Sequence, residues 1–411
     1  MARRRILFVS QQLPWPKDSG GNIRTYYTLA ALAREFDVLL CSTEDGSGEG
    51  RSALEALGAR LRLVPDTKRR SGSGQALGVL RSFFSGEPAV VAHNENPALR
   101  AAVREELARG AFDSLHLNHL DTALYFDLAL HVDPEGAPPS LIDTHNLLFD
   151  YYARRAEVEG SVLRRWVCRR EARLLEGYEL DVFRRVSRVV VCSEDERARL
   201  HAADPALDAA VVPNGVDCEE LRPAEAAPDP ANRDLVFVGD LAYGPNSDAA
   251  LRFAREVLPA IRREEPTARF LAVGKNPPPE LEALGREREE VVVPGFVEDV
   301  REWVWPAAVY VVPIRYGSGT RLKVLEAFAL GKATVSTRIG AEGIATADGE
   351  DVLLRDEPAD MAAAVVELLR DPERRERLGR AARLKVEERY DWPRIGEGLV
   401  ELHRGLVRDD P

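Results

Sequence analysis

The chain has 411 residues, too long for one ordinary hydrophobic core, so its length points to two domains of about 200 residues each. Hydrophobic residues make up 45% and charged residues 30%, while the net charge of −12 argues against a nucleic-acid binder, whose phosphate contacts need a basic face. No run approaches the ~18 uninterrupted apolar residues of a membrane helix, and Met1 to Arg5 leads into a strand without a signal-peptide core, so a cytoplasmic protein is expected.

In chain order, an apolar strand over residues 6–10 is followed by a Pro-rich loop, the pair Gly20-Gly21 and a helix over 23–34. Strand 38–42, an Ala/Leu helix over 52–57 and strand 60–64 continue an alternation that leads to parallel sheet. Residues 66–74, DTKRRSGSG, read as a polar loop. Further strands over 114–117, 140–143, 188–192 and 210–212 each adjoin a helical segment, and the last ends in the turn PNGVD over 213–217.

Three features of this half bear chemistry. The glycine pair either lets backbone approach a ligand closely or serves only the turn; no GxGxxG follows the first strand, which disfavours a nicotinamide enzyme. His145 follows the apolar strand in LIDTHN, where an imidazole either orients or deprotonates a hydroxyl, or bonds loop backbone. His116 and His119 in LHLNHL are placed similarly and rank below it. Residues 151–188 carry ten arginines with Trp166, a composition suited to a membrane surface or a lipid-diphosphate acceptor. The interspersed Glu157, Glu159, Glu171, Glu176, Glu179 and Asp181 favour a solvated, salt-bridged helix pair instead.

Residues 221–234, LRPAEAAPDPANRD, have no apolar period and read as a linker. A second series follows: strand 235–239, a helix over 246–263, strands 268–274, 290–294, 309–314, 333–337 and 352–354, then helices over 358–370, 372–389 and 392–407. Domains over 1–213 and 214–392 result, and ligands of such sheets bind at the carboxyl ends of the strands.

The most informative stretch is 311–337, VVPIRYGSGTRLKVLEAFALGKATVST, a βαβ unit with an anion site at its helix start. Gly317 and Gly319 free successive N–H groups to face a ligand, Thr320 is placed as N-cap, and the helix dipole favours a phosphate there. Arg321 and Lys323 put two cations where a purely structural helix favours Asp or Glu. Glu326 lies at the edge of the apolar stripe Leu322, Leu325, Phe328 and Ala329, placed to accept from ribose hydroxyls; the blander reading is an intrahelical pair with Lys323, worth ~0.2–0.5 kcal/mol.

These segments, with FVGDLAYGPNSDA, VVPGFVEDVREWV and VVPNGVD, resemble glycosyltransferase family 4, retaining nucleotide-sugar transferases of the GT-B fold, in the subgroup with a GSGTRLK-type loop. The resemblance implies two Rossmann-like parallel-sheet domains facing across a cleft, the first binding acceptor and the second donor, with the C-terminal helix over 393–411 returning to the first. It implies that Glu326 bonds the ribose, that Gly317, Ser318, Gly319 and Thr320 give backbone donors to the diphosphate, and that Val297 marks the base-contacting segment. Gly20 and Gly21 match the glycine pair near the diphosphate, and His145 the histidine of the acceptor domain. Two departures stand out: the usual first glutamate, eight positions before Glu326, is Ser318, and the usual Arg and Lys after the first strand of the second domain are missing. That loop offers Gly239, Asp240, Tyr243 and Asn246 instead, and Arg321 and Lys323 take over as diphosphate clamps.

The activity implied is transfer of a sugar from an NDP-sugar, UDP-linked first of all, to an acceptor hydroxyl with retained configuration, in polysaccharide, glycolipid or natural-product glycoside synthesis. No enzymic nucleophile is needed, and the catalytic set is His145, Arg321, Lys323 and Glu326. No cofactor beyond the co-substrate is expected and no metal, since the chain offers no Asp-x-Asp cluster, no HExxH and only the widely spaced Cys41, Cys168, Cys192 and Cys218. The acceptor is a carbohydrate, a lipid-linked or a small molecule, and weak peripheral contact with the inner membrane face accompanies the arginine-rich segment. Two other readings are a nucleotide-sugar epimerase, revealed by activity on donor without acceptor, and a non-catalytic donor-binding scaffold, revealed by binding without turnover.

Overall fold

Continuous apolar runs such as RILFV and DVLLCST cannot leave a face to water, so they form strands covered on both sides. The computed structural model describes residues 3–44, 46, 48–66, 82, 86–89, 96–110, 112–132, 136–226, 228–317 and 319–406; most of the polar loop read over 66–74, and Ser318, lie outside the described residues. The chain divides into two units, Met1–Pro213 with Pro393–Pro411, and Asn214–Trp392.

Among the described residues, the first unit holds a seven-stranded parallel sheet of β1 (Arg5–Val9), β2 (Asp37–Thr43), β3 (Arg60–Val64), β4 (Ser114–Asn118), β5 (Ser140–Asp143), β6 (Arg188–Val191) and β7 (Ala209–Val211), in the order β3-β2-β1-β4-β5-β6-β7. Alternate residues serve opposite faces. Ile6 and Phe8 join Leu29 and Leu32 of the Gly20–Glu35 helix and Val400 of the Trp392–Leu406 helix, while Leu7 and Val9 join Leu99, Val103 and Leu175. The C-terminal helix is also tied in by polar atoms: buried His403 meets Ser114 Oγ at 3.0 Å and His116 Nδ1 at 3.0 Å, with His116 stacked on Phe8 at 4.2 Å. The order reverses between β1 and β4, the switch point at which open sheets bind ligands beyond their strand ends.

The second unit repeats the plan with β8 (Asp234–Val238), β9 (Arg269–Val273), β10 (Val291–Gly295), β11 (Val309–Val312), β12 (Thr334–Ser336) and β13 (Leu353–Leu354), ordered β10-β9-β8-β11-β12-β13. Its switch point lies between β8 and β11.

Several local expectations change. The single helix read over 246–263 is Gly244–Arg252, a π-turn over Phe253–Val257 and Leu258–Glu264, because Pro259 lacks an N–H and its ring crowds the preceding turn. Residues 221–234 are held to the second unit rather than left as a free linker: Trp305 Nε1 donates to Arg222 O at 3.0 Å and Arg375 Nη2 to Pro230 O at 3.2 Å. The arginine-rich segment forms the helices Leu148–Val158 and Val162–Arg185, with pairs such as Arg154–Asp150 at 2.9 Å and Arg185–Asp181 at 3.1 Å.

Candidate functional site

In the second unit, the carboxyl ends of β8 and β11 bring together residues far apart in sequence. Lys323 sits in the first turn of the Leu322–Ala329 helix, and its Nζ donates to Asn246 Oδ1 at 2.6 Å and lies 4.4 Å from the Phe237 ring centroid. Asn246 Nδ2 in turn donates to Asp240 O at 2.8 Å. Gly239 leaves room for this pair: a Cβ there would stand 2.6 Å from Lys323 Nζ and 2.8 Å from Asn246 Nδ2 and would displace both side-chain ends. Burial pushes the Lys323 amine from its ordinary 10.5 down to about 7, with Arg321 acting in the same direction and Glu326 and Asp240 opposing it. Among the described residues, Lys323 bonds Asn246 and forms no ion pair with Glu326, so the intrahelical pair weighed from sequence is not made.

The glycine loop is held by conformation. Gly317 at φ +126° and Gly319 at φ +77° occupy backbone that favours glycine. Arg321, not Thr320, is the N-cap, and it makes no side-chain cap; its guanidinium instead donates to Gly319 O and lies 3.0 Å from where a Gly317 Cβ would be. The helix therefore begins with Lys323 in its first turn and no carboxylate to offset the dipole, an arrangement suited to an anion. Glu326 is half-buried, and burial raises its carboxyl while Lys323 lowers it. Val297 packs against the core of this unit, next to Phe296, which is 72% exposed.

In the first unit, Gly20 and Gly21 are not a turn before the helix but its first two residues, capped by Ser19 Oγ accepting from Asn22 N at 3.3 Å. Helical dihedrals are open to any residue, and a Cβ at Gly21 would stand in ordinary van der Waals contact with His145 Nδ1 at 3.7 Å, so the position lies beside that ring without sterically requiring glycine. His145 at φ 39° and His119 at φ 74° both hold left-handed backbone, and their rings meet edge to face at 5.3 Å. His119, with ψ 162°, sits in a region almost reserved for glycine, a cost of ~1–3 kcal/mol that the surrounding bonds must offset. Burial drives the His145 imidazole down to about 3, helped by the neighbouring charges of His119, Arg24 and His116 and opposed by Asp143. Burial also depresses His119, but Asp121, 3.6 Å from its Nδ1, together with Asn146, leaves it raised overall.

Beneath this pair, Arg24 and Asp143 form a fully buried two-pronged ion pair with bonds of 2.7 to 3.0 Å. Sequence reading passed over Arg24, Asp143, Ser10, Asn118 and Phe237. The available signal was the polar residue ending an apolar strand, as in SLHLN and LID, or directly following one, as Ser10 follows RILFV.

The two units match different family descriptions. Residues 18–220 match "Glycosyltransferase Family 4", and residues 232–371 match "Glycosyl transferases group 1". The chain is 29% identical over 234 residues to the D-inositol 3-phosphate glycosyltransferase of Rhodococcus jostii, a match spanning 51% of this chain and 50% of that protein, so the chain spans about half the length of this curated relative. Sucrose-phosphate synthase from Thermosynechococcus elongatus superposes with a TM-score of 0.74 at 18% identity, covering 98% of this chain and 99% of that one. Anabaena HepE in complex with UDP and glucose superposes with a TM-score of 0.67 at 15% identity, covering 97% and 98%. These superpositions identify the fold as GT-B.

Proposed function

Because the chain belongs to glycosyltransferase family 4, we propose that it transfers a sugar from an NDP-sugar, first of all a UDP-sugar, to an acceptor hydroxyl with retained anomeric configuration. The observation that carries this reading is the Gly239, Asn246 and Lys323 cluster: a buried amine and a helix start without a carboxylate lie together, with Gly317 and Gly319 in glycine-favouring backbone just before that helix. The Anabaena HepE structure with UDP and glucose supports a UDP-linked donor. The second unit then holds the nucleotide diphosphate, with Glu326 on the ribose, and the first unit holds the acceptor beside His145.

In the reaction the bond from the anomeric carbon to the diphosphate breaks, and one from the acceptor oxygen forms on the same face. The hydroxyl proton passes to the departing diphosphate oxygen. Negative charge grows on the diphosphate as the bond lengthens, and Lys323, Arg321, the loop amides and the helix dipole are preorganised against it. No metal and no further cofactor take part, so activity is expected to survive a chelator. The products are polysaccharide, glycolipid or natural-product glycosides made in the cytoplasm.

Calorimetric binding of UDP-, GDP-, ADP- and dTDP-sugars to wild type and Glu326→Ala tests the reading. Selective binding of one donor, lost in the variant, is expected; absence of binding by any donor removes it, and an inverted product removes the mechanism.

Peripheral membrane contact has one supporting feature, the exposed apolar start of the Val162–Arg185 helix. Val162 is 80%, Leu163 70% and Trp166 53% exposed among arginines, while no described helix is long and apolar enough to cross a membrane. Flotation with anionic vesicles is expected for wild type and not for Leu163→Glu/Trp166→Glu.

A further inference from the structure

The glycine loop of the second unit is tied on both flanks to one helix. Ahead of the loop, Arg315 stands just past the end of β11 and donates from Nε to Asp248 Oδ2 at 2.7 Å and from Nη2 to Asp248 Oδ1 at 2.6 Å, a two-pronged charge-assisted pair. Behind the loop, Lys323 reaches Asn246 on the same Gly244–Arg252 helix. Positions two apart on a helix project to different sides, so the segment from Arg315 to Lys323 straddles the helix start. Between the two ties it lies on that start: Tyr316 Oη is 2.9 Å from where a Gly244 Cβ would be, and Pro245 Cγ is 3.6 Å from where a Gly317 Cβ would be. Glycine gives up more conformational freedom on ordering than any other residue, so a loop that depends on Gly317 and Gly319 needs its flanks held from outside.

We propose that Asp248 and Arg315 are positioning residues for donor binding: their pair presets the loop that carries Gly317 and Gly319, so that a nucleoside diphosphate meets a loop already shaped for it. This rests on the reading of the loop as the diphosphate site. The side chains of Arg315 and Asp248 are 43% and 24% exposed, where an ordinary ion pair adds little; the planar two-bond arrangement differs because it fixes direction as well as distance. Glu256 also faces Arg315 but is bonded to Arg252 at 3.0 Å, so Asp248 is the carboxylate that aims the guanidinium. The charge of Asp248 separates this role from a through-space one. Asp248 is an anion on the helix that bears Asn246, so on electrostatics alone Asp248→Asn would draw a diphosphate in more tightly. As a tie that orders the loop beforehand, its loss weakens binding, because the ordering cost then falls on the ligand.

Two measurements on the full chain test this: titration calorimetry with UDP, and amide hydrogen exchange of the ligand-free protein read by mass spectrometry. Asp248→Asn is expected to weaken UDP binding about fivefold and to speed exchange in the peptide spanning 315–323 at least about threefold, with the peptides of β11 and β12 unchanged. The charge-swapped pair Asp248→Arg/Arg315→Asp is expected to recover most of the lost protection. Equal or tighter UDP binding by Asp248→Asn overturns the proposal, as does a loop whose exchange does not change. Faster exchange spread through β11 and β12 marks a merely stabilising pair and overturns the positioning role, and so does a swapped pair no better protected than Asp248→Asn. Failure of wild type to bind UDP would strike the donor reading, while the exchange result would still decide whether this pair orders the loop.

Discussion

With a donor diphosphate seated at Lys323 as proposed, binding is expected to depend on pH in a direction opposite to the effect of this amine on the free protein. In the free protein its amine sits at about 7 instead of 10.5, whereas a bound diphosphate favours the ammonium and lifts it again. Binding therefore takes up a proton, and affinity falls as pH rises through the free-state value. Between about pH 6 and about pH 8 the ammonium fraction drops from about 90% to about 10%, so donor affinity is expected to weaken about tenfold, ~1.4 kcal/mol. For folding the sign reverses: the unfolded chain holds this proton up to its ordinary value, so the group's contribution to stability grows as pH climbs from about 7 toward 10.5. Calorimetry in buffers of different ionisation enthalpy measures the proton uptake directly, and Lys323→Met serves as the reference. A wild-type affinity that does not change over this window, or a slope that persists in Lys323→Met, refutes the assignment of this amine to the diphosphate.

Asn246→Leu removes the acceptor that holds the Lys323 ammonium, a bond to a charged group worth ~1.5–3 kcal/mol, so donor binding is expected to weaken about 10- to 150-fold by titration calorimetry. Asp143→Asn leaves Arg24 buried without its counter-charge, and denaturant unfolding is expected to report a loss of ~3–5 kcal/mol. Burial holds His116 at about 4 against an ordinary 6.5, so its contribution to stability is present above 6.5 and lost as pH falls toward 4; ~3 kcal/mol is expected to disappear over that window, and His116→Phe is expected to abolish it if the variant folds.

Much of the fold was legible because strand and helix periods are written locally. The alternation from RILFV onward called for parallel sheet, and the stretch from Val311 to Thr337 does form β11, a helix and β12 around its glycine loop. Where the reading slipped, a single side chain outweighed the pattern. Pro259 broke the helix over 246–263, and arginine donors drew residues 221–234 onto the second unit.

The sequence by itself determined the two α/β units and the family, and named candidate site residues, since apolar periodicity, glycine placement and motif spacing are properties of neighbouring residues. Only the tertiary structure decided how those residues act on one another. That Lys323 bonds Asn246 rather than Glu326, three residues along its own helix, depends on β8 lying beside β11. That His145 Nε2 meets Asn118, and Asn118 meets Ser10, depends on β1, β4 and β5 pairing, which joins residues more than a hundred apart. Protonation and direction follow from burial and from partners distant in sequence, and neither is set until the strands have paired.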